Sequence, residues 1–245
     1  MAQAVSSDLL LYADDSGLTF EGNDINTIEN QLNKDFNSLC DWFVDNKLSI
    51  HFGDDKTKSI MFGSKRKLNK VRELDIRRGD TKIKQQVKVT YLGCILDEDL
   101  CGESMAIHAL GKVNSRLKFL YRNQSFLNSS LRRLLCNAII QPHYDFACLA
   151  WYPNLNKGLK KKVQTSQNKC IRFCLNMGNR DHVGMKEFNR INWLPTKERF
   201  EQCLLTSIYK FFNKAAPVYL SEMYHSVGRS QITRRTLNNL KLPNQ

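Results

Sequence analysis

The stretch DLLLYADDSGLTF, residues 8–20, decides the fold class of the first part of this chain. Apolar strand-forming residues stand on both sides of Asp14-Asp15-Ser16-Gly17, a run of residue types that favours tight turns. The pattern predicts strand, turn and strand, with two adjacent carboxylates at the turn. Such a pair is costly unless a cation neutralises it. Taken alone, however, an ordinary Asp-Asp-Ser-Gly turn is the simpler interpretation.

The residues that follow predict an amphipathic helix. Asp24 has the position of an N-cap, and apolar residues recur after it at spacings of three and four as far as about Asn46. We expect this helix to lay one apolar face on a sheet. Short strands are predicted at Leu48–Phe52, Ser59–Phe62 and Val87–Leu96, with a hairpin turn at Arg77-Arg78-Gly79-Asp80.

Beyond residue 100 the strand signals mostly disappear and helical spacing takes over. Helices are expected near residues 103–122, 129–140, 159–176 and 196–213. Pro142 and Pro153 bracket an aromatic-rich segment that we expect to be buried. The predicted fold class is therefore α+β, with an antiparallel sheet and helix in residues 1–100, a helical bundle in residues 101–225 and a flexible polar tail over residues 226–245.

Charge is unevenly distributed along the chain, whose formal net charge is +13 over 245 residues. Residues 1–100 carry 14 Lys/Arg and 17 Asp/Glu, whereas residues 101–245 carry 23 Lys/Arg and 7 Asp/Glu. An acidic part followed by a basic part suggests a metal or catalytic site next to a polyanion-binding surface. A solvated basic face is the alternative.

The cysteine pattern is typical of reduced thiols. Four cysteines stand within apolar helical patterns: Cys40, Cys136, Cys148 and Cys203. Cys170 and Cys174 are four residues apart with no second pair at zinc spacing, so we expect them to share a helix face. We therefore expect an intracellular location, in the nucleus or cytoplasm. Neither a signal peptide nor a membrane partner is expected, because no apolar run is long enough to cross a bilayer.

Several ordered motifs resemble one family. LYADD, with an apolar strand before it, looks like the catalytic hairpin of non-LTR (LINE-type) retrotransposon reverse transcriptases. Five later segments are similar to segments in the same order in that family: WFVDNKLSI, KTKSIMFG, VTYLGCILDEDL, IIQPHYDFACLAWYP and INWLPTKERF. The resemblance covers about residues 8–224, and it implies the C-terminal part of a reverse-transcriptase palm followed by an all-α, thumb-like bundle.

The resemblance implies a role for each matched position. Asp14 and Asp15 correspond to the aspartates of the YADD box and would bind Mg²⁺ in a two-ion site for nucleotidyl transfer. Tyr12 and Ala13 would lie near the primer terminus. Lys56 matches the lysine of the KT motif and would lie near the incoming deoxynucleoside triphosphate, with a plain surface lysine as the alternative.

Further positions would contact nucleic acid. Where relatives often have Asn-Pro-x-Lys, this chain has Gly53-Asp54-Asp55-Lys56, which departs from the family pattern. Tyr91, Leu92 and Gly93 match the primer-grip hairpin, although a buried strand with a glycine bulge is the alternative. Cations on the predicted thumb helices would follow the phosphates of a template–primer duplex: Arg116, Lys118, Arg122, Arg132, Arg133, Lys160, Lys161, Lys162, Lys169 and Arg172. Trp151 and Trp193 are assigned to the core instead.

The resemblance predicts an RNA-directed DNA polymerase, with an RNA template and a DNA primer as partners, that is inactive on its own. The family takes a further metal-binding aspartate from an earlier palm strand. In the printed sequence Asp8 is the sole acid before Asp14, roughly 20 Å away along a strand at about 3.3 Å per residue. We therefore expect a fragment of an element, a truncated copy or a misbounded gene model. The alternatives are a non-catalytic module that binds RNA or RNA–DNA duplex, and a relic with no cellular role.

Overall fold

The computed structural model describes residues 5–53, 56–213, 215–218, 220, 225–226 and 240–241. Within these residues the chain is mixed α+β, as the sequence predicts. It divides into two compact units. We call Met1–His108 with Asn154–Asn156 the hairpin unit, and Ala109–Pro153 with Lys157–Gln245 the helical unit.

Short strands and one long helix make up the hairpin unit. In chain order its elements are β1 (Asp8–Tyr12), β2 (Asp15–Thr19), α1 (Ile25–Asp45), α2 (Lys65–Leu68), β3 (Arg77–Arg78), β4 (Thr81–Lys82), β5 (Lys88–Tyr91) and β6 (Cys94–Asp97). The strands pair antiparallel as β1 with β2, β3 with β4 and β5 with β6. Among the residues described, these hairpins do not join into one sheet, so the expectation of a single sheet built on the first hairpin was wrong.

Helix α1 begins and packs as its sequence predicts. The Asp24 side chain accepts a 2.9 Å hydrogen bond from the backbone N–H of Thr27 and so caps the first turn. The apolar face packs on the core of the unit through Ile25, Ile28, Leu32 and Phe36. That core consists of Leu74, Ile76 and Ile83, in and beside the β3–β4 hairpin.

Two of the predicted strands are wrong. Residues 48–52 are irregular, and residues 59–62 pair only through an isolated bridge between Ser59 and Gln85. Phe52 and Met61 pack against the core instead. Both residues are apolar because they pack on the core. A short apolar run looks the same in a packed irregular segment and in a strand, so sequence spacing cannot distinguish the two.

Two turns decide the remaining strands. The predicted turn at Arg77–Asp80 is confirmed, with Gly79 at a φ of 56° between β3 and β4. The single strand predicted over residues 87–96 is instead the β5–β6 hairpin. Its two-residue turn consists of Leu92 and Gly93, whose φ values are 46° and 79°. Positive φ at both positions is the geometry that joins twisted antiparallel strands.

Helices make up the helical unit. The elements from the end of the hairpin unit onward are α3 (Glu103–Arg122), a 3₁₀ turn (Gln124–Phe126), α4 (Ser129–Ile139), α5 (Gln141–Asp145), α6 (Cys148–Trp151), α7 (Lys157–Leu175), α8 (Met185–Ile191) and α9 (Thr196–Phe212). The boundary between the units falls within α3, after His108. The four long helices confirm the four predicted ones, because their apolar residues recur at helical spacing over many turns.

The aromatic-rich segment forms part of the core, as expected. Its buried side chains are Tyr144, Cys148, Trp151 and Tyr152. The indole of Trp151 donates a 2.9 Å hydrogen bond to the carbonyl of Phe146, and that of Trp193 donates a 2.6 Å bond to Asn137 Oδ1. Both tryptophans are therefore core residues. All eight cysteines are free thiols, and Cys170 and Cys174 are both buried on α7.

The described residues near the C-terminal end form one pair of short strands. The predicted flexible tail over residues 226–245 lies largely outside the described residues. Within it, β7 (His225–Ser226) pairs antiparallel with β8 (Leu240–Lys241). Of the helices in the described part of the chain, none combines the length and the apolar character needed to cross a membrane.

Candidate functional site

The two adjacent aspartates lie at the end of the β1–β2 hairpin. Tyr12 pairs with Asp15, so the two-residue turn consists of Ala13 and Asp14. This corrects the predicted turn, which was placed two residues later, because Asp15, Ser16 and Gly17 belong to β2. Ala13 has a φ of 52°, in the left-handed region that costs a residue with a side chain about 1–2 kcal/mol.

The tip of this hairpin faces solvent. Asp14 and Asp15 are both exposed, and neither has a cation within ion-pair distance among the residues described. Tyr12 beside them is 65% exposed. Two accessible carboxylates are hard oxygen ligands that suit Mg²⁺. Within the described part of the chain, no third His, Cys, Asp or Glu joins them in a metal-sized cluster, so an ion at this tip would have these two carboxylates as its acidic ligands.

A buried acid holds the chain in front of β1. Asp35 on α1 is 2% exposed, and its carboxylate accepts hydrogen bonds from Ser6 N at 3.1 Å, Ser7 N at 2.8 Å, Ser7 Oγ at 2.5 Å and Gln31 Nε2 at 2.8 Å. Burial would raise the pKa of Asp35, but these hydrogen bonds lower it below its ordinary value. The sequence analysis missed this residue, although an acid between Leu32 and Leu39 on an apolar helix face was a visible signal.

The β5–β6 hairpin comes close to the β1–β2 hairpin. The predicted primer-grip residues Tyr91, Leu92 and Gly93 form the last residue of β5 and the turn after it. A Cβ atom built on Gly17 would lie 4.0 Å from Cε2 of Tyr91 and 3.8 Å from Cβ of Leu10. The structure therefore brings a residue of the YLG motif against the strand that follows the paired aspartates.

Lys56 is not joined to the aspartates by any contact among the described residues. Its side chain is exposed, and its backbone N–H donates a 2.9 Å hydrogen bond to the carbonyl of Gly53. Asp54 and Asp55, which stand directly before Lys56 in the sequence, lie outside the described residues. The assignment of Lys56 to the triphosphate stays a prediction.

One cluster with metal-ligand chemistry lies elsewhere in the hairpin unit. Single ligand atoms of Asp97, Asp99 and Cys101 lie within 4.8 Å of one another. Asp97 accepts a 3.1 Å hydrogen bond from the backbone N–H of Ser104, and Lys65 lies 3.1 Å from Asp99. Burial and a hydrogen bond with Asp99 raise the pKa of the Cys101 thiol to about 11. These groups hold the start of α3, and a protonated thiol is a poor metal ligand.

Some of the cations predicted to contact nucleic acid form hydrogen bonds within the helical unit instead. Arg132 donates to the carbonyls of Gln124 at 2.9 Å and Leu127 at 3.0 Å, and its guanidinium lies 5.4 Å from the ring centroid of Phe173. Lys160 donates a 2.8 Å hydrogen bond to the carbonyl of Pro153 and lies over the ring of Tyr152. These two cations position backbone and helices.

Other cations of the helical unit have no hydrogen-bond or ion-pair partner among the residues described. From Lys112 to Lys169 they are Lys112, Arg116, Lys118, Arg122, Arg133, Lys157, Lys161, Lys162 and Lys169. The sequence around them is almost free of acids: from Ser104 to Arg180 inclusive, Asp145 is the sole Asp or Glu, against 13 Lys and Arg. Asp145 is itself bound to Arg199 by two hydrogen bonds of 2.9 and 2.8 Å. The excess of cations gives these helices a positive electrostatic potential.

A cleft of about 410 Å³ opens within the helical unit. Polar side chains line much of it: Arg133, Asn137, Gln141, Asn192, Arg199 and Gln202. Because Arg199 is bound to Asp145, Arg133 is the cation of this cleft without a partner among the described residues. The cleft thus adds one accessible positive charge to the basic surface.

Comparison with models of known protein families, with curated proteins and with solved structures finds no match for this chain.

Proposed function

We propose that the chain is the C-terminal part of a retrotransposon-type RNA-directed DNA polymerase, comprising the rest of the palm and the thumb. The observation that carries the proposal is the hairpin tip, where Asp14 and Asp15 are exposed side by side. An ordinary turn needs only one aspartate. Two carboxylates at one tip repel each other unless a cation lies nearby. A bound cation would offset this repulsion.

The surroundings of the tip support the same proposal. Tyr91 approaches Gly17 on β2, the strand that begins at Asp15, so the YADD and YLG motifs are neighbours in space although Gly17 and Tyr91 are 74 positions apart in the sequence. In the proposed enzyme Asp14 and Asp15 would hold Mg²⁺, which would stabilise negative charge on the reacting phosphate oxygens. Residues 91–93 would press on the primer end, and Lys56 would lie near the triphosphate.

The helical unit would hold the template–primer duplex. Its unpartnered cations can neutralise phosphates without reading base sequence. Among the predicted contacts, this leaves Arg116, Lys118, Arg122, Arg133, Lys161, Lys162 and Lys169 as phosphate contacts. We assign Arg132, Lys160 and Arg172 to positioning instead, because all three are bonded within the unit.

A second candidate function is a non-catalytic module that binds RNA or RNA–DNA duplex. One observation favours it: within the described part of the chain, no third metal-ligating group joins Asp14 and Asp15. Nucleotidyl transfer depends almost wholly on positioning and charge stabilisation, and an incomplete site supplies neither. The basic surface needs no metal in order to bind a polyanion.

Primer extension on an RNA template in Mg²⁺ separates the two candidates. We expect no extension by the chain alone. We expect extension when a separate polypeptide carrying the family's fingers and first palm aspartate is added, and we expect Asp14→Ala to abolish it. Asp80→Ala is the matched control, because Asp80 is also an exposed aspartate at a hairpin turn. Extension by the chain alone that Asp14→Ala abolishes would contradict the expected incompleteness. Failure of extension with the added polypeptide, together with salt-dependent duplex binding, would favour the binding module.

A further inference from the structure

Helix α3 presents an aromatic ring among cations in the helical unit. Val113, Leu117 and Leu120 form its buried stripe. Lys112, Arg116 and Phe119 follow one another at spacings of four and three, so they share one side of the helix. Phe119 is 62% exposed. Lys118 and Arg122 lie on either side of it in the sequence and are exposed as well.

A second exposed ring follows on a fixed turn. Phe126, at the end of the 3₁₀ turn, is 82% exposed. Its backbone N–H donates a 3.1 Å hydrogen bond to the carbonyl of Asn123. Arg132 donates to the carbonyls on both sides of it, those of Gln124 and Leu127. The turn is therefore held in place by protein contacts while the ring it carries remains in solvent.

We infer that Phe119 and Phe126 form a stacking platform for unpaired bases of RNA or DNA, with Lys112, Arg116 and Arg122 contacting the phosphates of the same strand. Charge complementarity selects the partner: no Asp or Glu stands between Ser104 and Tyr144, whereas six Lys and Arg do, so this stretch attracts a polyanion. The inference rests on the nucleic-acid binding of the proposed function. It adds that this surface binds single-stranded nucleic acid. Phosphate contacts alone would not favour a single strand over a duplex.

The chemistry distinguishes a single strand from a duplex. Bases in a duplex are stacked on each other, so a ring on a helix surface reaches only the backbone and groove edges. Unpaired bases have free faces, and stacking on an aromatic side chain strengthens binding by about fivefold to a hundredfold per base and tolerates any sequence. Cations flanking the rings hold the backbone, which is the arrangement seen in proteins that bind single strands.

The test measures binding of the full chain to three probes: a fluorescein-labelled 12-mer of uridine, a blunt RNA–DNA duplex of the same length, and inorganic polyphosphate as a competitor. The variants are Phe119→Leu, Phe126→Leu and the double variant, which keep an apolar side chain but remove the aromatic face. Phe119→Tyr keeps the ring. Tyr209→Leu on α9 is the matched control, because Tyr209 is also exposed, at 67%.

We expect each leucine variant to weaken binding of the uridine 12-mer about fivefold or more, since one stacked base is lost. Binding of the duplex and of polyphosphate should change less than twofold, and Phe119→Tyr should bind like the unmodified chain. Equal loss for all three probes, or no loss for the 12-mer, overturns the platform while leaving duplex binding intact. If the unmodified chain binds none of the three probes, both the platform and the nucleic-acid binding of the proposed function fail.

Discussion

The two units differ in how many acids stand among their cations. In the hairpin unit, five cations are paired with acids of the same unit: Lys65 with Asp99, Arg72 with Glu29, Arg77 and Lys82 with Asp75, and Arg78 with Asp41. Its other cations stand among many acids, since residues 1–100 carry 17 Asp/Glu against 14 Lys/Arg. In the helical unit, nine cations from Lys112 to Lys169 have neither a hydrogen-bond nor an ion-pair partner among the residues described. A count of basic residues therefore does not locate a polyanion-binding surface. Such a surface is better located by cations that have no acid close to them.

The pairs of the hairpin unit have a structural effect. The guanidinium of Arg72 donates to both oxygens of Glu29, at 2.6 and 3.0 Å, and Glu29 also accepts a 2.7 Å bond from the backbone N–H of Asp75. The hydrogen bond from Arg72 holds the pKa of Glu29 below its ordinary value, against burial, which would raise it. Through Arg72 and Arg78, which bond Glu29 and Asp41, the basic stretch from Lys65 to Lys88 is tied to α1 at two points, and we assign these two arginines to the fold.

The largest expected effect is the loss of the buried acid of the hairpin unit. Asp35→Ala removes the acceptor of four hydrogen bonds and leaves the backbone N–H of Ser7 buried without a partner. We expect the free energy of unfolding of this unit to fall by about 2–4 kcal/mol. Urea unfolding, with hydrogen exchange of the β1 and α1 amides as the local readout, measures it.

The control for this prediction is Asp41→Ala on the same helix. Asp41 is paired with Arg78 at the surface, where ion pairs contribute little. If both variants were destabilised equally, the buried carboxylate would not be what holds the chain in front of β1, and the contrast between buried and surface charges within this unit would be lost.

The next largest effect concerns the unpartnered cations. We expect Lys161→Glu, Lys162→Glu and Lys169→Glu together to weaken binding of RNA and of duplex about tenfold to a hundredfold at low salt, for all sequences alike. The slope of log affinity against log salt should fall by about three, because three phosphate contacts are lost. Lys160 is left unchanged, since its reversal would also break its contacts with Pro153 and Tyr152.

A triple reversal in the hairpin unit controls for total charge. Lys58, Lys67 and Lys70 are also exposed, so Lys58→Glu, Lys67→Glu and Lys70→Glu change the net charge by the same amount. We expect a much smaller loss of affinity and an unchanged salt slope, measured by fluorescence anisotropy between 50 and 200 mM salt, roughly the range over which phosphate contacts dominate. An equal loss in both triples would mean that net charge, rather than the helical surface, binds the polyanion.

Sequence reasoning succeeded where the signal is local. The spacing of apolar residues over five turns, with Asp24 in front, was enough to predict α1. The four long helices followed from the same kind of repeat. The turn between β3 and β4 was predictable because Gly79 adopts the positive φ that other residues avoid.

It failed where the partner is distant along the chain. Phe52 and Met61 are apolar because they contact a core that comes later in the sequence, and this made two irregular segments look like strands. Asp35 stood visibly on an apolar face, but Ser7, 28 residues earlier, was not visible as its partner. Arg132 looked like a phosphate contact, because nothing local shows that it donates to the carbonyls of Gln124 and Leu127.

The smallest expected effect is the pH dependence of the hairpin unit. In the folded chain burial would raise the pKa of Asp35, but hydrogen bonds from Ser7, Gln31 and the backbone lower it below the ordinary value of 3.8. A carboxyl with a lowered pKa contributes stability that is fully present above the unfolded pKa and is lost as pH falls through the folded pKa. The unmodified chain should therefore lose stability as pH falls below about 5.

This loss should be smaller than that caused by Asp35→Ala, because a protonated carboxyl keeps an oxygen that can still accept from Ser7. Asp35→Asn should be less stable than the unmodified chain at pH 7 and should show a shallower fall between about pH 5 and pH 2, since one titrating group is gone. The remaining slope would come from other carboxyls with a lowered pKa, such as Glu29 beside Arg72. Urea unfolding across this pH range gives the two curves. Parallel curves would show that Asp35 titrates alike in the folded and unfolded chain, and that its hydrogen bonds do not favour the charged form.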